Sequence, residues 1–353
     1  MATLHSIVSP ITALVGPFNP CHGRRNCRLV LSASPASSVG SVAHPRFDEA
    51  ILKDFDGKGG RKQRVFFLDV NPLCYEGSTP SLHSFAHWLS LFFSQVSLTD
   101  PVIAVLDGEG GNEYRRQLLP SYKAHRRKFT RHFYSPQRCN TLSTVSDVLH
   151  KCNVPVVKVQ GFEADDVVAT LADQVLEMGL RVVIGSPDKD FKQLISENVQ
   201  IVMPMPEFGR WSFYTLNHYI AQYNCDPSCD LSLRCIMGDD VDGVPGIQHL
   251  APGFGRKTAL KLIKKHGSLE SLLKAAAVRT VGKPYAQDAL MKHGDFLRKN
   301  YEVLSLRRDV EVCLENEWLT ERNSKHDSAV LSSFIEMLGD SEKCNQRRVS
   351  FSC

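Results

Sequence analysis

No run of apolar residues in this chain approaches the length of a membrane-spanning helix, so no membrane partner is expected. Paired CxxC units are also missing. The 11 cysteines are scattered singly and odd in number, which argues against a disulfide scaffold. Cys225, Cys229 and Cys235 cluster without a second ligand pair, which argues against structural zinc. The GxxxxGK[ST] register of a nucleotide P-loop is absent. Net charge is small, +4 at a pI of about 8.4, so the distribution of charge says more than its sum. Acid is missing from the amino-terminal stretch, where the first carboxylate is Asp48. That stretch carries Arg24, Arg25, Arg28 and Arg46 among many Ser, Ala and Pro, the composition of an organellar transit peptide for plastid or mitochondrion. A secretory signal fits poorly, because the apolar run at 11–15 is short and has no basic region before it. Residues 1–60, which end in a Gly- and Lys-rich lead-in, are therefore set apart from the fold.

What remains is long enough for one large domain or two with a real core. It is organised around Gly161–Asp190. Glu163, Asp165 and Asp166 open a helical pattern in which Val167, Val168, Leu171, Ala172, Val175 and Leu176 recur at helix spacing. An apolar strand, 181–184, follows and ends in Ser-Pro-Asp188-Lys-Asp190. Arg64–Asp69 and Pro101–Asp107 read as two further apolar strands ending in acids, separated by a helix over 82–93. Acids at a helix start and just past the C-terminal ends of strands lie where open α/β sheets bind ligands. Carboxylates crowded there repel one another unless cations neutralise them.

Helices are also expected over 135–150, 191–195 and 216–223, and strands over 154–159 and 199–203. Between 115 and 131 the chain holds Arg115, Arg116, Lys123, Arg126, Arg127, Lys128 and Arg131 with no acid, interleaved with Tyr122, His125 and Phe129 and preceded by Tyr114. Such a segment suits a phosphate backbone and can stack on bases, and reads as a basic arch over the acidic crevice. A second module starts at Leu231–Met237, a helix, and continues through Gly238-Asp-Asp-Val-Asp-Gly-Val-Pro-Gly, where Asp239 and Asp242 can face the same crevice. Gly253-Phe-Gly255-Arg256-Lys257-Thr258 then opens a helix over 258–265 that carries Lys261. The glycines let a phosphate approach the free helix N–H groups. Alternation over 304–313 predicts a strand, a closing helix falls within 318–337, and the polar 339–353 is expected to fray.

FLDVN with Asp69, VLDGEG with Asp107, YRRQLLPSYKAHR, GFEADD, SPDKD, MGDDVDGVPGI and GFGRKTA form one ordered set, and the similarity they carry covers roughly residues 63–315. This set resembles the 5′ nuclease, or flap-endonuclease-like, superfamily, most nearly the 5′-3′ exonuclease domain at the N-terminus of bacterial DNA polymerase I, here in a stand-alone, organelle-targeted form. The resemblance implies an α/β fold: a PIN-like domain with a mostly parallel sheet over 61–225, an arch at 110–131, and a helical helix-three-turn-helix (helix-hairpin-helix) DNA-binding module over 226–300. A closing strand and helix over 301–338 and a tail over 339–353 complete the chain.

The same resemblance implies Mg²⁺-dependent cleavage of DNA at 5′ ends, flaps or nicks. By motif position, Asp69, Asp107, Glu163 and Asp165 chiefly hold the catalytic ion, and Asp166, Asp188, Asp190, Asp239 and Asp242 support it or a second. Arg115 and Lys123 then contact the scissile phosphate. The DNA-binding set is Tyr114, Arg116, Tyr122, His125, Arg126, Arg127, Lys128, Gly253, Gly255, Arg256, Lys257, Thr258 and Lys261. Hard oxygen ligands without a His/Cys set select Mg²⁺, with Mn²⁺ able to substitute. Two ions roughly 4 Å apart suit phosphodiester hydrolysis. A monomer acting in organellar DNA replication, repair or primer removal is expected. The alternatives are a PIN-like ribonuclease acting on RNA or an RNA–DNA hybrid, and a catalytically inactive DNA-binding protein. The chain departs from the family pattern at Asn71-Pro72, at Gly243 where bacterial relatives usually carry Asn, and in about four extra residues at Gln248–Ala251.

Overall fold

The computed structural model describes residues 63–124 and 136–350, with backbone alone over 136–140 and 341–350. Residues 1–60, read above as a leader, and His125, Arg126, Arg127 and Lys128 of the expected arch lie outside the described residues.

In chain order the elements are β1 (Arg64–Asp69), β2 (Tyr75–Glu76), β3 (Thr79–Pro80), α1 (Leu82–Phe92), β4 (Val102–Leu106), α2 (Glu113–Leu118), α3 (Pro136–Lys151), β5 (Val156–Lys158), α4 (Ala164–Glu177), β6 (Arg181–Gly185), β7 (Val199–Met205), β8 (Arg210–Tyr214) and α5 (Leu216–Tyr223). There follow α6 (Asp230–Met237), α7 (Arg256–His266), α8 (Leu269–Val278), α9 (Pro284–Lys292), α10 (Gly294–Leu304) and α11 (Asp327–Ser350).

The main sheet has the order β5-β4-β1-β6-β7-β8. Every pairing is parallel except β7 with β8, which turn back at Gly209 in a left-handed conformation. β1 is an unbroken apolar run because both faces of the sheet are covered. Val65 and Phe67 pack with Ile103, Ile184 and the Val167–Val175 face of α4. Phe66 and Leu68 face the other way, against Phe85, Leu89 and Phe92 of α1 and Val145 and Leu149 of α3. In register, Asp69 lies opposite Val105 and Leu68 opposite Gly185. The C-terminal ends of β4, β1 and β6 therefore lie side by side, and Asp107, Asp69 and the 186–190 loop leave the sheet at one edge.

Helices α6 to α10 enclose a separate core around Ile236, Phe254, Ile263, Leu272, Leu290 and Leu297. The chain then returns to the first domain, and here two expectations are corrected. Residues 304–313 form no strand. Segment 305–314 is a strap without regular structure whose backbone is held by side chains, chiefly of α4, with Gln193 on Leu306 N and Arg115 on Ser305 O, not by a neighbouring strand. Arg307 N donates to Asp166 Oδ1 at 2.8 Å, Val310 N to Thr170 Oγ1 at 3.4 Å and Leu314 N to Gln174 Oε1 at 2.8 Å, while Gln174 Nε2 donates to Val312 O at 2.8 Å. The helix residues are four apart, and the buried strap residues Leu306, Val310 and Leu314 share that spacing. A helix turn sets the period, so alternation misleads. Gln174→Leu removes two of these bonds and should cost about 2 kcal/mol, at roughly 1 kcal/mol each, read as a lower urea midpoint.

The second correction concerns the C-terminus, where the backbone of α11 stays helical to Ser350 instead of fraying at 339. Its first half is anchored by Leu331, Phe334 and Leu338 against the α1 side of the sheet.

Candidate metal centre

Asp69 ends β1 and is buried, its Oδ2 accepting from Ser186 Oγ at 2.7 Å. Asp107 follows β4 and accepts from Asn71 Nδ2 and, at 2.8 Å, from Ala164 N. Asp107 thus caps the first turn of α4, which its own N-cap residue, Glu163, does not. Glu163 is left to the basic segment. Its Oε2 accepts from Arg115 Nη1 at 2.6 Å and Tyr122 OH at 3.0 Å, and its Oε1 from Lys123 Nζ at 2.5 Å.

On the far side of the edge, Asp188 caps the short 3-10 turn Lys189–Leu194, accepting from Asp190 N at 2.9 Å. Asp239 and Asp242 lie on a tight turn closed by Asp239 N to Val244 O (2.6 Å) and Val244 N to Asp239 O (2.8 Å). Gly246 is obligatory there, since a Cβ would meet Met237 O at 2.0 Å. Carboxylate oxygens of Asp190, Asp239 and Asp242 lie within 4.8 Å of one another, the one such acidic group among the described residues. Arg234 Nη2 donates to Asp190 Oδ1 at 2.5 Å and Asp239 Oδ2 at 2.8 Å, and Lys189 Nζ to Asp239 Oδ1 at 2.8 Å.

The acids divide into two electrostatic kinds. Burial would raise Glu163, but Lys123 and Arg115 outweigh it and hold the group down at about 2. Asp239 is likewise lowered, burial being outweighed by Lys189 and Arg234. Asp69 is pushed well above the carboxylate range by burial and the Asp107 charge. Asp165 rises by burial despite Arg115, with Glu163 and Asp166 adding to it. Asp190 is pushed up to about 6 by burial and Asp188, which Arg234 does not offset. Asp107 is raised by its surroundings and Glu163, but it is open to solvent and more strongly screened. The protein's own cations therefore leave Asp69, Asp165 and Asp190 without full compensation. A divalent cation would supply what they lack. The donors are all carboxylate oxygens, which fits a hard ion of the Mg²⁺ or Mn²⁺ kind.

Several sequence-assigned residues are placed otherwise. Asp166 is buried, with both oxygens taken by Arg115 (2.6 and 2.8 Å) and Oδ1 also by Arg307 N. Arg115 is 3% exposed, and its remaining donors go to Val303 O at 2.9 Å and Ser305 O at 3.2 Å. All five of its N–H groups are engaged, so it presents none to a phosphate. Lys123 is buried and bridges the two acid groups, its Nζ on Glu163 and its N on Asp242 O at 2.8 Å. Tyr122 is buried in the core of the second module and is not free to stack on bases. Tyr114 is exposed, with its hydroxyl on Glu302 at 2.6 Å, and Arg116 lies half-buried against Tyr122 O.

At the hairpin, Gly253 has φ +92° and nothing lies within 4 Å of a Cβ placed there or at Gly255, so its backbone is open to a ligand. Arg256, Lys257 and Lys261 are exposed on α7, and Thr258 Oγ1 lies 3.1 Å from Tyr285 OH. Gln248 and His249 lie in the short 3-10 turn Ile247–His249, Leu250 follows exposed, and Ala251 packs partly buried on the second-module core.

Gly243 has φ +70°, and a Cβ would lie 2.4 Å from Ser121 O. Ser121 Oγ donates to Gly243 O at 2.8 Å, so this glycine lets the foot of the basic segment dock on the acidic turn. Gly243→Ala should destabilise by roughly 2 kcal/mol through backbone strain and open a protease-sensitive site near Ser121. Limited proteolysis and a thermal melt check both. Sequence reasoning missed Asn71, Ser186, Lys189 and Arg234, whose residue types signal nothing until the fold brings them to the acids.

Residues 64–224 match the 5′-3′ exonuclease N-terminal resolvase-like domain, and residues 226–327 match the 5′-3′ exonuclease C-terminal SAM fold. The chain belongs to the 5′-3′ exonuclease family. It is 28% identical over 253 residues to a 5′-3′ exonuclease of Aquifex aeolicus, covering 71% of this chain and 80% of that one. To DNA polymerase I of Chloroflexus aurantiacus it is 31% identical over 254 residues, but these are 69% of this chain and only 26% of the polymerase. For the Rhizobium leguminosarum polymerase the identity is 30%, over 63% of this chain and 20% of the polymerase. The fold is that of the T5 D15 protein co-crystallised with metal ions, at 21% identity and a TM-score of 0.53 over 69% of this chain and 90% of that one.

These matches correct the expected fold class. The first domain is resolvase-like, not PIN-like, and the helical module is a SAM fold, not a helix-three-turn-helix. Strand–helix alternation with acids at strand ends is shared by many open sheets, so that pattern could not tell one from another.

Proposed function

We propose that the chain is a metal-dependent deoxyribonuclease that hydrolyses DNA from 5′ ends or at 5′ flaps, acting as a monomer with two Mg²⁺ ions, for which Mn²⁺ can substitute. The observation that supports this most is the gathering of incompletely neutralised carboxylates, Asp69, Asp165 and Asp190, at one sheet edge beside Asp239 and Asp242. Asp69, Asp107 and Asp165 would hold one ion and Asp190, Asp239 and Asp242 the other, with Asp188 between them. Such ions activate water and stabilise a leaving oxygen. The protein's own part is positioning: Lys123, Arg115 and Tyr122 keep Glu163 ionised and fixed. The open Gly253–Gly255 turn and the exposed lysines of α7 offer a seat for duplex backbone.

The test is digestion of 5′-labelled flap, nicked and blunt DNA duplexes, and of matched RNA flaps, in Mg²⁺, Mn²⁺ and EDTA. Short 5′-derived products from DNA in either metal, and none in EDTA, are expected. Binding without cutting would leave a structure-specific DNA-binding protein, and preferential cutting of RNA would move the substrate class. The acid-free leader is our ground for proposing an organellar address, which a fluorescent fusion of the full chain would place in plastid, mitochondrion or neither.

A further inference from the structure

The cations nearest the acidic crevice are spent on acids: Arg115, Lys123, Lys189 and Arg234 all form ion pairs. Lys192 and Arg256 are different. Among the described residues neither makes an ion pair, and both are seated on tyrosine faces instead. Lys192 Nζ lies 5.0 Å from the Tyr214 ring centroid and 5.3 Å from that of Tyr223, and it donates to Tyr223 OH at 3.2 Å. Arg256 Cζ lies 5.1 Å from the same Tyr223 centroid. An aromatic face holds and orients a cation without cancelling its charge. Neither charge is cancelled in an ion pair, though Lys192 also helps to hold down the buried Asp230 carboxylate, and both side chains are already restrained.

Their place in the fold gives the anion a direction. Lys192 stands two residues after Asp190 on the same 3-10 turn. Arg256 opens α7 directly after the Gly253–Gly255 turn. Tyr223, at the end of α5, touches both, so a single ring joins the helical module to the metal loop. With both cations within 5.3 Å of one centroid, the charges lie within about 10 Å of each other, a span of up to roughly three steps at about 3.4 Å rise per nucleotide of one strand. Tyr214, on the edge strand β8, extends the track with a half-buried ring.

We propose that Lys192, Tyr214, Tyr223 and Arg256 form a phosphodiester subsite that guides one strand of bound DNA from the Gly253–Gly255 turn to the Asp190 cluster. This rests on the nuclease reading above, and the experiment separates the two. Binding of a nicked 5′-flap DNA to the full chain is measured by fluorescence anisotropy in EDTA over a range of salt. Lys192→Gln with Arg256→Gln should make the slope of log K against log salt shallower by about 1.8, two contacts at about 0.9 each. Tyr223→Leu takes away the ring that seats both cations and should weaken binding about tenfold, with a thermal scan as its folding control because the ring also packs on Tyr219, and Tyr223→Phe should stay near the parent. Parent-like slopes and affinities in Lys192→Gln/Arg256→Gln and Tyr223→Leu, with DNA still bound, would overturn the subsite and leave the nuclease reading standing. No DNA binding by the parent protein would overturn both. Lys192 and Arg256 pack in no apolar core, so their variants should melt like the parent, which a thermal scan verifies.

Discussion

An Arg115→Met protein should lose about 3–5 kcal/mol of stability, the range for breaking a buried ion pair from one side. The substitution keeps the apolar stem and removes the guanidinium. It leaves Asp166, whose two oxygens Arg115 holds in a fork, with a single backbone donor. It also frees Val303 O and Ser305 O, which tie the end of α10 and the strap to the basic segment. Arg115→Lys should be nearly as harmful, because an ammonium cannot reproduce the fork. Adding Asp166→Asn to Arg115→Met should recover about 1–3 kcal/mol, since the two changes meet in one network. Urea denaturation of the parent, Arg115→Met, Asp166→Asn and the double variant gives the cycle. An arginine kept for contact with a phosphate would behave otherwise: its loss would slow cutting and leave the unfolding midpoint where it was. A midpoint within about 0.5 kcal/mol of the parent, the range of an ordinary surface substitution, would return Arg115 to the substrate side.

That arginine also shows where reading the sequence stops. The apolar runs of β1, β4 and β6 and the helix spacing of α1 and α4 are legible because each depends on its own residues, and so is the convergence of acids at their ends. Whether a charge faces solvent or another chain segment depends on partners far away. Arg115 stands among basic residues and reads as exposed, yet Glu163 and Asp166 enclose it from another helix. Tyr122 reads as a stacking ring for the same reason and is buried instead. The strap over 305–314 alternates like a strand, but its hydrogen-bond partners are side chains spaced by a helix turn. β8 is short and polar in part, and only its pairing with β7 makes it a strand. The acids themselves were legible as a set, but not their division into those the protein already neutralises and those it does not. Arg234 and Lys189 decide that division, and nothing in their local sequence marks them.

Asp190→Asn should move stability and catalysis in opposite directions. Burial and the Asp188 charge together outweigh the help of Arg234, so the ionised Asp190 carboxylate strains the ion-free protein. An amide at this position cannot ionise. Arg234 keeps Asp239 as its partner at 2.8 Å. In EDTA at neutral pH the variant should therefore melt above the parent, at roughly 2–4 °C for each kcal/mol relieved. In Mg²⁺ the order should reverse. On the proposed function the parent gains stability by binding the ion, whereas the variant offers only Asp239 and Asp242 of the acids whose oxygens lie within 4.8 Å of one another. Turnover on flap DNA should fall by roughly 10²-fold or more, the several kcal/mol of charge stabilisation that a metal supplies at a phosphoryl group. A carboxylate with a purely structural role would give the opposite pattern, a lower melting point in EDTA and little change in the response to Mg²⁺. Melting curves with and without Mg²⁺, set beside single-turnover rates, distinguish the two. A variant that melts lower in EDTA yet cuts at the parent rate would remove Asp190 from the metal centre and leave Asp239 and Asp242 too few to hold an ion by themselves.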